Sequence, residues 1–204
     1  MIFAIKIFDV PDSGALRDIH RQAHLDYLAQ SNAQTHFAGP FLDLDSGHEL
    51  GSYRLVEFPD RAAAEKHVED EPFILGGAQK GWTVYPWRPG VPHTYRDCPR
   101  KEGNVQFFIH ALDRADGAGL RNELQEAHGE YLRSRPEAII TRGPLLSDDG
   151  ERKIGSNFIL DMPDLAAAKE LWDNEPFNKN GLYGTVEFYG WRFGRIFDRL
   201  KGAS

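Results

Sequence analysis

This sequence is written twice, at a constant offset of about 104 residues that needs no gap to hold. Phe3, Ile5, Asp9 and Asp12 return as Phe107, Ile109, Asp113 and Asp116, and Leu16-Arg17 returns as Leu120-Arg121. Ala23-His24 with Tyr27-Leu28 returns as Ala127-His128 with Tyr131-Leu132, Gly39-Pro40 as Gly143-Pro144, and Gly51-Ser52 as Gly155-Ser156. Further on, Glu71-Pro72-Phe73 becomes Glu175-Pro176-Phe177, and Tyr85, Trp87 and Arg88 become Tyr189, Trp191 and Arg192. Of the 86 positions from Phe3 to Arg88, 28 are identical to their counterparts where random pairing leaves on the order of 5, so the chain is a duplicated domain. Pro89 to Gly103 breaks helical and strand periodicity with prolines, glycines and charges. The expected division is residues 1–88 as first repeat, 89–103 as linker, 104–192 as second repeat and 193–204 as C-terminal tail.

The periods alternate within a copy. Residues 2–9 are rich in β-branched and aromatic side chains. From Gly14 to Gln30, Leu16, Ile19, Ala23 and Tyr27 recur at helical spacing. Residues 34–43 and 50–58 read as strands around a turn at Asp45-Ser46-Gly47, and Asp60 is placed to cap an alanine-rich helix that ends before Pro72. A strand from Trp82 to Arg88 closes the copy. The order βαββαβ is ferredoxin-like, with helices on one sheet face and the other left to be covered. A copy this short needs a partner surface. The predicted fold is α+β, two ferredoxin-like βαββαβ repeats fused as a pseudo-dimeric α+β barrel, and the sequence leaves a further homodimer open.

Composition narrows the function. With 41% hydrophobic and 27% charged residues the chain has a core to bury, and a net charge of −7 argues against coating phosphate backbones or anionic membranes. Neither nucleic acid nor membrane is an expected partner. The single cysteine, Cys98, forms no intramolecular disulfide and no thiolate metal cluster, which fits a reducing, cytoplasmic compartment. Residues 1–9 lack the basic region and long apolar core of a signal peptide, so export is not expected. No phosphate-binding glycine loop is present, and no cofactor is expected.

His24 and His128 are the first candidates for chemistry. Helical spacing puts His24 on a stripe with Leu16, His20 and Leu28, and His128 on one with Leu120, Leu124 and Leu132. Each imidazole interrupts an apolar face, and its retention in two diverged copies implies a shared constraint, either catalytic or structural. Glu71 and Glu175 are the second candidates, each placed before a proline that ends a helix. With both helices on one sheet face, Glu71 comes within reach of His24, to orient its tautomer and raise its basicity. The competing reading is a core histidine beside a solvated glutamate. Ser52 and Ser156 suit hydrogen bonding to a ligand, and Gly39 and Gly143 a rim where backbone approaches it. Neither Gly-Ser pair has the surroundings of a serine nucleophile. His20 and His24 share an i, i+4 spacing open to a metal, but Leu124 replaces His20 in the second copy, so no metal site is expected.

The Ala-His-x-x-Tyr-Leu helix, the Gly-Pro and Gly-Ser pairs, and the acid-Pro-aromatic turn followed by Gly77 or Gly181 resemble two fused YciI-like (YCII-related) domains of the dimeric α+β barrel superfamily. The resemblance covers all but the linker and tail. It implies a histidine-carboxylate dyad, His24 with Glu71 and His128 with Glu175, where glutamate replaces the family's aspartate and lengthens the arm by a methylene. It further implies a small, hydroxylated or aromatic substrate, since at least one relative is a dehydrochlorinase of a hydroxylated chloroaromatic. The expected activity is therefore a cofactor-free lyase or isomerase. The alternatives are a non-catalytic small-molecule-binding or assembly module, and a haem-binding barrel protein.

Overall fold

The computed structural model describes residues 1–201, with side chains described as far as Asp198; residues 202–204 of the expected tail lie outside the described residues. It divides into two compact units, one made of Met1–Pro86 and the segment from Arg192 on, the other of Trp87–Trp191.

The first unit carries β1 (Ile2–Asp9), α1 (Gly14–Gln30), β2 (Thr35–Leu42), β3 (Glu49–Glu57), α2 (Arg61–Glu69), α3 (Pro72–Leu75) and β4 (Gln79–Trp87). Its strands lie in the order β4-β1-β3-β2, the ferredoxin-like arrangement. β1 and β3 pair antiparallel from Ile2 opposite Glu57 to Phe8 opposite Gly51. Phe3, Ile5 and Ile7 alternate onto one face and pack with Ala64 and Val68 of α2 and Val84 of β4. Each such side chain contributes about 1.5–3 kcal/mol of burial. Asp60 caps α2 by accepting the Ala63 amide at 2.8 Å.

The second unit repeats this with β5 (Val105–Asp113), α4 (Ala118–Arg133), β6 (Ile139–Leu146), β7 (Lys153–Met162), α5 (Leu165–Asp173), α6 (Pro176–Lys179) and β8 (Tyr183–Trp191). The order is again β8-β5-β7-β6, and Asp164 caps α5 through the Ala167 amide. Both halves are thus the predicted βαββαβ repeat.

Three local features differ from the periodicity reading. First, α1 turns Arg17 and Leu28 inward, whereas Leu16 and Ile19 are exposed. A buried bond from Arg17 to Asp9 outweighs the pull of single apolar side chains, so the inner face is the one carrying Arg17 and His24. Second, Pro72 and Pro176 do not only end a helix. Each occupies the first turn of a further short one, where its fixed φ and missing N–H cost nothing. Third, β4 starts at Gln79, earlier than Trp82, because Gly81 has φ +79° and breaks the alternation that marks a strand in sequence.

The segments after β4 and β8 finish the two units. Arg192 and Gly194 donate backbone bonds to Pro40 and Ala38 of β2, and α7 (Ile196–Lys201) follows within the expected tail. In the second unit Arg88 and Gly90 donate to Pro144 and Arg142 of β6.

Candidate functional site

Glu71 lies in the break between α2 and α3, fully buried, as the N-cap of α3. Its Oε2 accepts the Phe73 amide at 3.2 Å and its Oε1 lies 2.5 Å from Nδ1 of His24 on α1. The Phe73 ring stacks on the His24 imidazole, centroids 3.9 Å apart and planes 10° apart. Three consecutive residues therefore hold both the carboxylate and the platform under the imidazole. The second copy repeats the arrangement. Glu175 accepts the Phe177 and Asn178 amides at 3.1 and 3.0 Å, its Oε1 lies 2.6 Å from Nδ1 of His128, and Phe177 stacks on that ring at 3.9 Å.

Burial holds both histidines below their ordinary pKa, although the glutamate hydrogen bond opposes it. For Glu71 burial pulls upward, but the bond to His24 and the Arg54 charge together hold the carboxyl below its usual value. At neutral pH this pair is a neutral imidazole on an ionised carboxylate. Nδ1 then carries the proton and donates it to Glu71, leaving Nε2 with its lone pair.

Around each pair stands a second ion pair, to which the sequence reading gave no role. Arg17 donates to both oxygens of Asp9, at 2.8 and 3.0 Å, and its guanidinium lies 4.7 Å from the Phe73 ring centre. Arg121 does the same with Asp113, at 2.5 and 2.6 Å, over Phe177. The signal was present, since both residues recur at the repeat offset like the histidines. Periodicity alone gives a charged residue on a helix no buried partner.

Arg54 was missed for a different reason. Its guanidinium is 2% exposed, neither Nη atom has a hydrogen-bond partner among the described residues, and Nη2 lies 3.8 Å from Glu71 Oε2. The equivalent position in the second copy is Phe158. There the arginine stands instead on the neighbouring strand as Arg142, because Ala38 faces Arg54 in one register and Arg142 faces Phe158 in the other.

Ser52 and Gly39 line a cavity beside His24, and Ser156 and Gly143 one beside His128. Both serines are buried and engaged by protein groups: Gln79 donates to Ser52 at 2.9 Å, and Arg121 to Ser156 at 3.2 Å. A Cβ on Gly143 would meet the Arg88 carbonyl and the Trp87 ring, so chain packing alone requires glycine there. The first cavity measures about 40 Å³ and the second about 210 Å³. Both fall short of the roughly 300–1,000 Å³ of sites for larger ligands, and a haem macrocycle does not fit either one. Among the described residues no group of three or more His, Cys, Asp or Glu side chains is set to hold a metal ion. No helix among them is long and apolar enough to cross a membrane.

The profile of the YCII-related domain matches twice, over residues 1–88 and 105–192. The 5-chloro-2-hydroxyhydroquinone dehydrochlorinase of Burkholderia phenoliruptrix AC1100 is 30% identical over 44% of this chain and 96% of its own, with a TM-score of 0.42. A haem-binding protein from Thermus thermophilus matches 98% of this chain and 95% of its own at 14% identity and TM-score 0.54. A chlorite dismutase variant from Candidatus Nitrospira defluvii matches 100% and 95% at 10% identity and TM-score 0.62. These last two likenesses show the fold alone, that of the dimeric α+β barrel proteins. Comparison with curated protein sequences gave no match.

Proposed function

This chain belongs to the YCII-related domain family, and we propose that it is a lyase or isomerase whose histidine-glutamate pair moves a proton on a small, hydroxylated or aromatic molecule. The observation that carries this reading is the short bond from each imidazole Nδ1 to a fully buried, backbone-anchored carboxylate, 2.5 Å in one copy and 2.6 Å in the other. A structural histidine needs only a partner; this one has its tautomer fixed, its ring clamped on phenylalanine and its other nitrogen left basic.

In this reading Nε2 takes a proton from a carbon next to a polarised oxygen. The C–H electron pair becomes a π bond as a leaving group departs with its own bonding pair, or the proton returns to another carbon and the molecule is isomerised. Loss of hydrogen chloride from a hydroxylated chloroaromatic, the reaction the sequence resemblance implies, is a related case. The proton moved to carbon gives a keto tautomer with chlorine on a saturated carbon. Nε2 then takes the proton of a ring hydroxyl, its O–H electrons shift through the ring to form C=O, and chloride leaves with the C–Cl pair, giving a quinone. The glutamate keeps Nδ1–H in place and stabilises the imidazolium that forms. Arg54 or Arg142 supplies positive charge where substrate oxygen gains negative charge. The reaction class moves protons and an anion and needs no electron acceptor.

The test is chloride release from 5-chloro-2-hydroxyhydroquinone, and deuterium uptake at carbon from heavy water, by the full chain and its His24→Gln and His128→Gln variants. Turnover that falls about 10²-fold or more in one variant, with unfolding unchanged, supports the reading. Equal turnover in both variants and the parent overturns it. A purely binding or structural role has one observation on its side in the first copy, whose cavity is hardly larger than a water molecule.

A further inference from the structure

The two halves place opposite charges at one position. Glu49 opens β3 and Lys153 opens β7, one repeat apart. In the first unit Glu49 Oε2 lies 2.5 Å from the Arg17 guanidinium, and its other oxygen bonds Arg192. Its carboxylate thus sits between two cations of the wall, in a cavity of about 40 Å³.

In the second unit the equivalents of those two arginines are Arg121 and Arg88. Arg121 keeps Asp113, but Arg88 and Arg142 have no ion-pair partner among the described residues, and Lys153 bonds only the neutral Gln125. Four cations, Arg88, Arg121, Arg142 and Lys153, therefore line the His128 cavity of about 210 Å³, and no carboxylate lines it. Repulsion within the set is visible at Lys153, whose pKa is lowered by burial and then by Arg121 and Arg88; Arg142 is lowered by burial and by Arg133 outside the cavity, against the pull of Glu175. Like charges gathered in a concave site raise its affinity for an anion and focus its field on one. Arg121, 4% exposed and bonded to Ser156 at the inner end, makes that site a built one and not a solvated rim.

We propose that the second pocket takes a small organic anion, with a carboxylate, phenolate or enolate oxygen seated among Arg88, Arg142 and Lys153, and that Glu49 is the protein's own carboxylate filling the matching place in the first pocket. The inference rests on the proton-transfer reading only in making this anion the substrate of His128; the asymmetry of the two pockets stands without it. The first pocket is closed to anions by an internal one, and the second is the working site.

Calorimetric titration of the full chain with 2,5-dihydroxybenzoate and with its neutral amide tests this. The expected result is one equivalent of benzoate bound, weakened about tenfold or more by Lys153→Glu and by replacement of the carboxylate with the amide. Glu49→Gln keeps the size of its side chain in a cavity of about 40 Å³, so the stoichiometry is expected to stay at one. Two equivalents bound by the parent chain, affinity unchanged by Lys153→Glu, equal affinity for the amide, or no binding up to about 10 mM each overturns the proposal. Lys153 is exposed, so its variant folds even where Glu49→Gln does not. His128→Gln separates the two readings. If it retains turnover while the binding pattern holds, only the proton-transfer reading falls. If it abolishes turnover while Lys153→Glu leaves binding unchanged, only the anion site falls.

Discussion

Arg54 and Arg142 flank equivalent histidine-glutamate pairs from strands that are neighbours, not counterparts. Arg54 stands on β3 opposite Ala38, and Arg142 on β6 opposite Phe158. The duplication kept a guanidinium beside each pair and let it change strand, as cross-strand neighbours on one face can do.

That exchange predicts a compensating double variant. Arg54→Phe alone strips Glu71 of its nearest guanidinium and is expected to cost about 1–3 kcal/mol, since a buried carboxylate loses charge compensation. Adding Ala38→Arg rebuilds the pattern of the second copy and is expected to recover at least half of the loss. Urea unfolding of the two single variants and the double variant measures the coupling.

Glu175→Gln keeps the size of the cap but cannot hold an imidazolium. Turnover is expected to fall by about 10²–10⁴-fold, with KM moved much less, because the carboxylate acts on the transition state through His128. Steady-state kinetics that show KM rising and kcat unchanged would assign Glu175 to packing alone.

The pH dependence has a definite sign. His24 and His128 sit below 6.5 in the folded chain because burial disfavours their charged forms, so they accept fewer protons than the unfolded chain just below that value. Stability is therefore full above about pH 6.5 and declines as pH falls, and Glu71, also lowered, extends the decline below 4.5. The acid limb of kcat/KM is expected below pH 6.5 and not above it; a midpoint above 7 would mean protonated imidazoles in the resting enzyme.

His67 sharpens that test. Burial, aided by the Arg54 charge, pushes it down to about 4, and its ring stacks on Tyr27. The second copy has the buried Leu171 there, and both positions offer only their backbone carbonyl to a tyrosine hydroxyl. His67→Leu is expected to stabilise the chain by about 1–2 kcal/mol more at about pH 5 than at neutral pH. Thermal melts at the two pH values give the difference directly.

Gly143→Ala is expected to destabilise by about 1–3 kcal/mol, because the new methyl runs into the Arg88 carbonyl and the Trp87 ring. The readout is the denaturation midpoint.

Much of this was legible in the residues because the duplication supplied a comparison within one chain. Periodicity marked α1 at Gly14 and Gln30, and capping chemistry at Asp60 marked α2. The Glu-Pro-Phe run was singled out, but not that it would build a second short helix with Glu71 as its cap, since four residues carry no periodicity. The inner face of α1 was misread because Arg17 looks solvent-seeking until Asp9, eight residues away in another element, is known to receive it. The Arg54 and Arg142 exchange was invisible for a sharper reason. Aligning the copies column by column compares Arg54 with Phe158, and only the strand register reveals that Ala38 and Arg142 complete the trade.

The backbone bonds from Arg192 and Gly194 to β2 have a consequence for biosynthesis. A ribosome usually releases domains in the order it makes them. Here the unit made from Trp87–Trp191 is complete once its own residues have emerged, whereas the one begun at Met1 must wait for Arg192 and the residues after it. Of the two halves, the one translated first is the one that matures last, and a truncation before Arg192 would damage the site that the earlier half carries.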